Sequence, residues 1–368
     1  MDLATTWHER LTALDAQGLR RRLRTLRPTG AVTGKLDGTD VLVACSNDYL
    51  GLAWRDEVRA AAKGGGSGSS RLIAGDRPIH RQLEEAIEAW LGRPATLFTS
   101  GYHANLGLLG AIGTADVHIA SDALNHASII DGLRLSRARR TITAHADPTA
   151  VPDDADITVI EGLYSMDGDT PPIAAYADPD RLMVDEAHAI GCMGPDGAGA
   201  AAAAGVTPAI RVGTFGKALG AHGAFVEGPP ELHELLVNKA RSFIFTTGLP
   251  EPVAAMALAG LTLMRREPEL ADRLRRNSAR LRQGLGDLGW TPLGGAHIVP
   301  IVVGAGATQM DRRLQRAGVF AAAIRPPTVA PGTERIRFTV SAAHTVDQID
   351  QICDAVGPRP STDFRVEP

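Results

Sequence analysis

Cysteine is scarce in this chain. Cys45, Cys192 and Cys353 stand far apart among 368 residues, with no CxxC pair and no metal-ligand spacing. That excludes a disulfide-stapled scaffold and a cysteine-based zinc site, and it points to reduced, mostly buried thiols. A surplus of positive charge is also missing: the formal net charge is −4, so neither nucleic acid nor an anionic membrane surface is expected as partner. Arg20, Arg21, Arg22 and Arg24 form one local basic run, which reads as a solvated face. No apolar run is long enough to span a membrane. The start, MDLATTWHERL, has no apolar core of a signal peptide, and a cytoplasmic protein is expected. A GxGxxG turn after the first strand, with a later acidic residue, is absent as well, which argues against a dinucleotide-binding dehydrogenase.

What is present describes an ordinary globular protein, 44% hydrophobic and 22% charged. Its length exceeds one simple core, so two or three packed substructures are expected. The chain is organised around RVGTFGKALGAHGAFV, residues 211 to 226. A β-branched run leads into a Gly-rich turn that presents Lys217 with no acidic neighbour in sequence. A lysine desolvated there loses its proton readily, and the neutral amine forms a Schiff base with a carbonyl. Upstream, RLMVDEAHAIG reads as a buried strand delivering Asp185 and His188 at its C-terminal end, the edge of an open α/β sheet where ligands bind. A carboxylate fixed at a strand end and a lysine on a later turn meet the needs of pyridoxal phosphate: the lysine holds the aldehyde and the carboxylate pairs with the ring nitrogen.

The remaining segments read in order. Residues 3 to 26 carry Leu3, Trp7, Leu11, Leu14, Leu19, Leu23 and Leu26 at helical spacing, with a break or bend at Gly18. GAVTGKLDGTDVLVAC reads as a hairpin turning at Asp-Gly, and SNDYLGL as a loop. GGGSGSSRLIAGD, alone a flexible linker, precedes the helical HRQLEEAIEAWLG and so reads as an ordered loop close to a ligand. TLFTSGYHANLGLLGAI is strand, turn and helix, and the N–H groups at such a helix start form an anion site. VHIASDALNHASIIDG is strand, loop and helix; ITVIEG is a further buried strand, with Glu161 and Ser165 at the same sheet edge. Strands ending repeatedly at small and polar residues indicate a mostly parallel, doubly wound sheet. Residues 229 to 289 are mostly helical, broken at FTTGLP and REPE. The last part reads as an α+β unit, in which the alternation of RIRFTV puts Arg335 and Arg337 on one face.

VDEAH, GTFGKALG, SNDYLGL, GSGSSRLIAGD and the histidine of SDALNHASIIDG together resemble the α-oxoamine synthase family of pyridoxal phosphate enzymes, from about residue 10 to about residue 350. The resemblance implies the fold-type-I α/β architecture. An arm spans 1–45, a large cofactor-binding domain 46–270 and a small C-terminal domain 271–368. It implies a homodimer in which Thr246 and Thr247 reach the cofactor phosphate of the other subunit. It places the phosphate at Gly101 and Tyr102, stacks His126 on the pyridine ring, brings His188 and Ser165 to the phenolic oxygen, and puts Thr214 beside the cofactor. Asn47 is implied near the cofactor and substrate, and Arg337, or Arg335 on the same face, holds the substrate carboxylate. AIRPPTVAPGTERIRF is most similar to the branch that condenses L-alanine with a pimeloyl thioester, on CoA or acyl carrier protein, in biotin synthesis; Thr328 and the Arg20 region match positions near the acyl chain. The alternatives are a sister activity such as glycine C-acetyltransferase or a sphingoid-type synthase, and a ligand-binding module without turnover. Against that resemblance the segments TAHADPTAVPDDADITVIEG and PPIAAYADPDRLMVDEAH are short, so these crossovers are expected to be one helical turn or a bare loop.

Overall fold

A computed structural model describes residues 2–176 and 178–360; residues 361–368 of the expected C-terminal unit lie outside them. Asp2 caps a first helix, Leu3–Ala16, by accepting from the Ala4 and Thr5 amides. The helix ends before Gly18, which adopts φ +65°. The expected break at Gly18 is therefore present, but Leu19 and Leu23 beyond it form no second helix. Leu26 opens β1 (Leu26–Pro28), followed by β2 (Thr33–Leu36) and β3 (Thr39–Val43). Asp37 and Gly38, both at positive φ, make the expected hairpin turn between β2 and β3.

A seven-stranded sheet follows, built from β4 (Ala95–Phe98), β5 (His118–Asp122), β6 (Arg139–Thr143), β7 (Ile157–Glu161), β8 (Leu182–Asp185), β9 (Ile210–Thr214) and β10 (Ala224–Glu227). Its order is β4-β10-β9-β8-β7-β5-β6. Only β10 runs against its neighbours β4 and β9, so the sheet is parallel apart from one strand. Every residue of β5, β8 and β9 is buried, as strands covered on both faces must be. Val159, Met183 and Val184 have no exposed surface, and each such side chain contributes about 1.5–3 kcal/mol through burial.

The short crossovers are as the sequence suggests. A single turn, Pro148–Ala150, lies between β6 and β7, and two, Ile173–Ala175 and Pro179–Arg181, lie between β7 and β8. Ile173 and Tyr176 pack with Ile160, Leu182, Val184 and Ala200, so two apolar side chains on a turn cover sheet surface that a helix would otherwise cover. Near the C-terminus, β11 (Ile298–Val302), β12 (Val319–Phe320), β13 (Ala322–Ile324) and β14 (Arg335–Thr339) follow. β14 is central in the three-stranded sheet β11-β14-β13, while β12 extends the N-terminal hairpin by pairing with β3. The long helices Glu251–Arg266 and Glu269–Asp287 contribute Leu261, Leu263, Leu274 and Leu281 to a core cluster shared with β11 and β14. None of the described helices is long and apolar enough to cross a membrane.

Candidate active site

The parallel strands β5, β7, β8 and β9 end together, and their last residues or the turns beyond them converge. β7 and β8 are in register at Glu161 and Asp185. β9 ends at Thr214, whose hydroxyl donates to the Gly223 carbonyl at 2.9 Å and accepts from the Gly216 amide at 3.1 Å. That pair of bonds shapes the turn that projects Lys217, and it occupies the Thr214 side chain. Burial pulls the Lys217 ammonium down to about 8, against the attraction of Asp185 and Glu161 and with the repulsion of Arg337. A neutral amine is then available near physiological pH, roughly a tenth of the population at pH 7, far more than for an ordinary lysine.

Asp185 is buried. One of its oxygens accepts from the Ala187 amide at 2.9 Å, the other from Asn105 Nδ2 at 2.8 Å. Asn105 also donates to Ser128 Oγ at 2.9 Å. Ser128 in turn bonds His126 Nδ1, through its hydroxyl at 2.8 Å and its amide at 3.2 Å. Because that amide donates to Nδ1, the neutral His126 ring carries its proton on Nε2. Desolvation and the neighbouring Lys217 outweigh Asp185 and lower the His126 titration. Sequence reasoning missed Asn105. Its signal was available: it is the one polar side chain among the buried residues of the helix Gly101–Ile112.

The same helix begins where an anion would bind. Ser100 caps it by accepting from the His103 amide. The Gly101 and Tyr102 amides precede any intrahelical acceptor, and open space surrounds the position of a Cβ on Gly101. Tyr102 is exposed, its hydroxyl donates to Asp131, and its ring meets His126 edge-on at 6.4 Å.

His188 lies buried beyond Asp185, with Nδ1 2.6 Å from the Tyr49 hydroxyl. Desolvation, then the positive charges of Lys217 and Arg337, hold its titration far below the ordinary imidazole range, so it stays neutral. The Tyr49 hydroxyl also lies 3.1 Å from Asn47 Oδ1, and its ring packs on His297 at 4.2 Å between ring centres. Burial raises the Glu161 carboxyl well above the usual carboxylate range, and Asp185 adds to the rise.

β14 separates the two arginines that the sequence left as alternatives. Both are buried on one face of a central strand. Arg335 is consumed by Asp167, the Met166 carbonyl and Thr333. Arg337 donates Nε to the Ser165 carbonyl, while among the described residues both its terminal nitrogens hydrogen-bond only to Asn47 Oδ1, at 3.4 Å. Its fork is therefore open to a stronger acceptor. Arg20 pairs with Asp15 instead of facing Thr328; Arg21 is the member of the run that lines a cavity of about 110 Å³ with Thr328, Arg325 and Ile324. Thr246 and Thr247 line a small cleft with Arg71, Thr99 and Ser242. Next to them the Gly248 amide donates to the Ser69 carbonyl, which orders the Gly-rich loop as expected. A larger cavity, about 620 Å³, opens beside Cys192, Met264 and His297. Neither Lys217 nor Asp185 lines it, so size does not locate the chemistry.

Pyridoxal phosphate fits the residues present. An amide-rich helix start, a buried carboxylate held by two donors, an aromatic-sized ring at His126 and a lysine of lowered basicity surround one sheet edge. The N atoms of Asn105 are engaged, while its Oδ1 is buried without a partner among the described residues, a polar atom left for an occupant of the site.

Comparisons with known proteins agree. The family described as aminotransferase class I and II matches residues 39–356. The chain is 46% identical to an 8-amino-7-oxononanoate synthase of Anaeromyxobacter dehalogenans, over 92% of each chain. It is 41% identical to that of Methylococcus capsulatus, over 94% of this chain and 95% of the relative. Among solved structures it resembles Sphingomonas wittichii serine palmitoyltransferase (TM-score 0.90, 28% identity, 97% of each chain). It also resembles the S. paucimobilis serine palmitoyltransferase solved with a bound PLP–myriocin compound (TM-score 0.90, 27% identity, 97% and 98% covered). The 8-amino-7-oxononanoate synthase of Francisella tularensis matches with TM-score 0.76 at 25% identity, over 86% of this chain and 96% of that one. The chain is a pyridoxal phosphate-dependent enzyme and belongs to the aminotransferase class I and II family.

Proposed function

We propose that the enzyme condenses L-alanine with a pimeloyl thioester, releasing CO2 and the free thiol and forming 8-amino-7-oxononanoate, a step of biotin synthesis. The observation that carries this reading is the 46% identity to an 8-amino-7-oxononanoate synthase over nearly the whole chain. Support comes from the open fork of Arg337 beside the Lys217 edge.

Bound pyridoxal phosphate supplies an electron sink that acidifies the α-carbon of the amino acid and later lets its carboxylate leave as CO2. The chain's own groups then have distinct tasks. Lys217 would hold the cofactor aldehyde, and as a free amine it would carry the α-proton at Nζ, where a titration near 8 suits both directions of transfer. Asp185, steadied by Asn105 and the Ala187 amide, would pair with the ring nitrogen. His126, whose imidazole is fixed by its bond to Ser128, would cover one face of the cofactor ring. His188 and the Ser165 hydroxyl would bond the phenolic oxygen. The Gly101 and Tyr102 amides would take the phosphate. Arg337 and Asn47 orient the substrate carboxylate, and Arg21, Arg325 and Thr328 line the region of the acyl chain.

The large unit 46–270 would bind the cofactor, and the arm 1–45 and small unit 271–368 would close over the substrates. The active assembly would be a homodimer in which Thr246 and Thr247 complete the partner's phosphate site. The first helix supports this, since Leu3, Trp7, Leu11 and Leu14 form an apolar face that the described residues of the chain leave exposed. The purified holoenzyme, offered L-alanine or glycine with pimeloyl-CoA or acetyl-CoA while thiol release is followed, tests the assignment. Alanine with pimeloyl-CoA should be fastest. Faster release from glycine and acetyl-CoA would replace this reading with an acetyltransferase.

A further inference from the structure

Between two loops that carry site residues stands a histidine that the chemistry above does not use. His145, just past β6, has Nδ1 2.9 Å from Asp122 Oδ1 and Nε2 2.8 Å from Asp169 Oδ2. Its ring meets Tyr164 edge-on at 4.5 Å. A carboxylate oxygen only accepts, so each ring nitrogen donates, and a ring donating from both nitrogens is an imidazolium. Burial opposes that charge, but the hydrogen bonds and field of Asp122 and Asp169 outweigh it, and the ring titrates above the ordinary imidazole value.

Each carboxylate anchors one loop. Asp122 ends β5 and accepts from the Leu124 amide at 2.8 Å and the Ala146 amide at 2.7 Å, which shapes the turn toward His126. The Asp169 carbonyl accepts from the Tyr164 amide at 2.9 Å. That bond closes the loop whose Ser165 carbonyl holds Arg337 and whose Asp167 holds Arg335.

We propose that His145 is a positioning residue: its imidazolium clamps the His126 loop to the Ser165 loop, and the clamp opens when the ring loses its proton. The charged groups facing it are Asp122 from β5 and Asp169 from the loop after β7. The Tyr164 phenol facing it stays neutral, its titration raised by burial, and Asp147 on the same turn is turned to Thr149. Loss of the proton leaves one carboxylate facing a lone pair and two anions facing one another. The folded-state titration lies above the unfolded value of about 6.5, so the clamp is complete below that pH and is lost as pH rises through the folded value.

The test compares wild type, His145→Gln and His145→Gln/Asp169→Asn between pH 6 and 9. Two quantities are read: affinity of the cofactor-free protein for pyridoxal phosphate, and KM against kcat of the holoenzyme for the amino acid. At pH 6.5, His145→Gln should weaken cofactor affinity and raise KM about tenfold, a scale expected for loosened site geometry, with kcat changed less. Wild type should converge on the variant as pH rises, and adding Asp169→Asn should restore most of the loss by removing the stranded charge. A constant difference across pH, unchanged affinity at pH 6.5, or absence of rescue overturns the clamp. If His145→Gln does not fold, Asp169→Asn alone must shift the alkaline loss of affinity to lower pH, and an unshifted profile refutes the proposal. The cofactor measurement does not depend on which amino acid is the substrate, so its failure is separable from failure of the proposed reaction.

Discussion

The two arginines of β14 differ by two positions, share a face and are equally buried, yet their removal should have opposite consequences. Both terminal nitrogens of Arg337 sit 3.4 Å from a single Asn47 oxygen, beyond the 2.7–3.2 Å of a normal N–H···O bond. A substrate carboxylate would displace little by taking that fork. A hydrogen bond to a charged group is worth about 1.5–3 kcal/mol, and a fork-to-carboxylate pair makes at least one such bond well. At about 1.4 kcal/mol per decade, Arg337→Ala should raise the amino-acid KM about ten- to a hundredfold and leave cofactor binding intact. Arg337→Lys should fall between, because it restores the charge without the fork. Arg335 is already committed to Asp167, Thr333 and the Met166 carbonyl. Breaking a buried pair by removing one partner costs roughly 3–5 kcal/mol, and the lower end applies because Asp167 is 28% exposed. Arg335→Ala should therefore lower the unfolding midpoint in denaturant while KM moves less than threefold. Thiol release with the amino acid varied, together with urea unfolding of each variant, reads both effects. A KM effect larger for Arg335→Ala than for Arg337→Ala would refute the reasoning.

Two further outcomes follow from the lysine turn and the threonine loop. Lys217→Ala should abolish the visible colour of the covalently held cofactor and all but residual turnover. In wild type the rate of cofactor capture by the cofactor-free protein should fall about tenfold per unit below about pH 8; a flat rate from pH 6 to 9 would contradict attack by the neutral amine. Mixed dimers of a Lys217→Ala chain and a Thr246→Ala/Thr247→Ala chain should recover part of the activity each lacks alone, and a fully active monomer in sedimentation would exclude shared sites.

The parts of the site that could be read from the sequence are those encoded within one strand and its following turn. Asp185 at the end of LMVD and Lys217 on the turn after β9 need only a buried apolar run and a Gly-rich stop. The contacts that tune them join distant positions: Asn105 to Asp185, Tyr49 to His188, His145 to Asp122 and Asp169. No periodicity records those pairs. The same limit explains the arginines. Alternation showed that Arg335 and Arg337 share a face, but Arg335 is spent on Asp167, which a loop far upstream supplies. Helical spacing likewise identified Leu3, Trp7, Leu11 and Leu14 without revealing that no described residue of the chain buries them. The break expected at Gly18 is where a positive φ ends the helix, though the leucines beyond it form no further helix. With the helix closed at Ala16, Arg20 pairs with Asp15, and Arg21 lines the same cavity as Thr328.

The shortened crossovers show what this architecture can lose. A parallel connection must return the chain across the sheet and cover apolar surface as it goes, and a helix does both. Here Pro-initiated single turns make the return, with Asp147 and Asp178 capping them through the Thr149 and Asp180 amides, and Ile173 and Tyr176 provide the cover. The chemistry survives because it sits at the C-terminal strand ends, whereas the trims fall on the return path. Between β6 and β7 that path is reduced almost to the segment holding His145, Ala146 and the Pro148–Ala150 turn. Ala146 adopts φ +52°, a conformation that L-residues with a Cβ take at a cost, while its amide donates to Asp122. The bonds from His145 and Ala146 to Asp122 hold the chain in that conformation, so the shortest connection between parallel strands of the sheet is also the one that ties the His126 loop to the Ser165 loop.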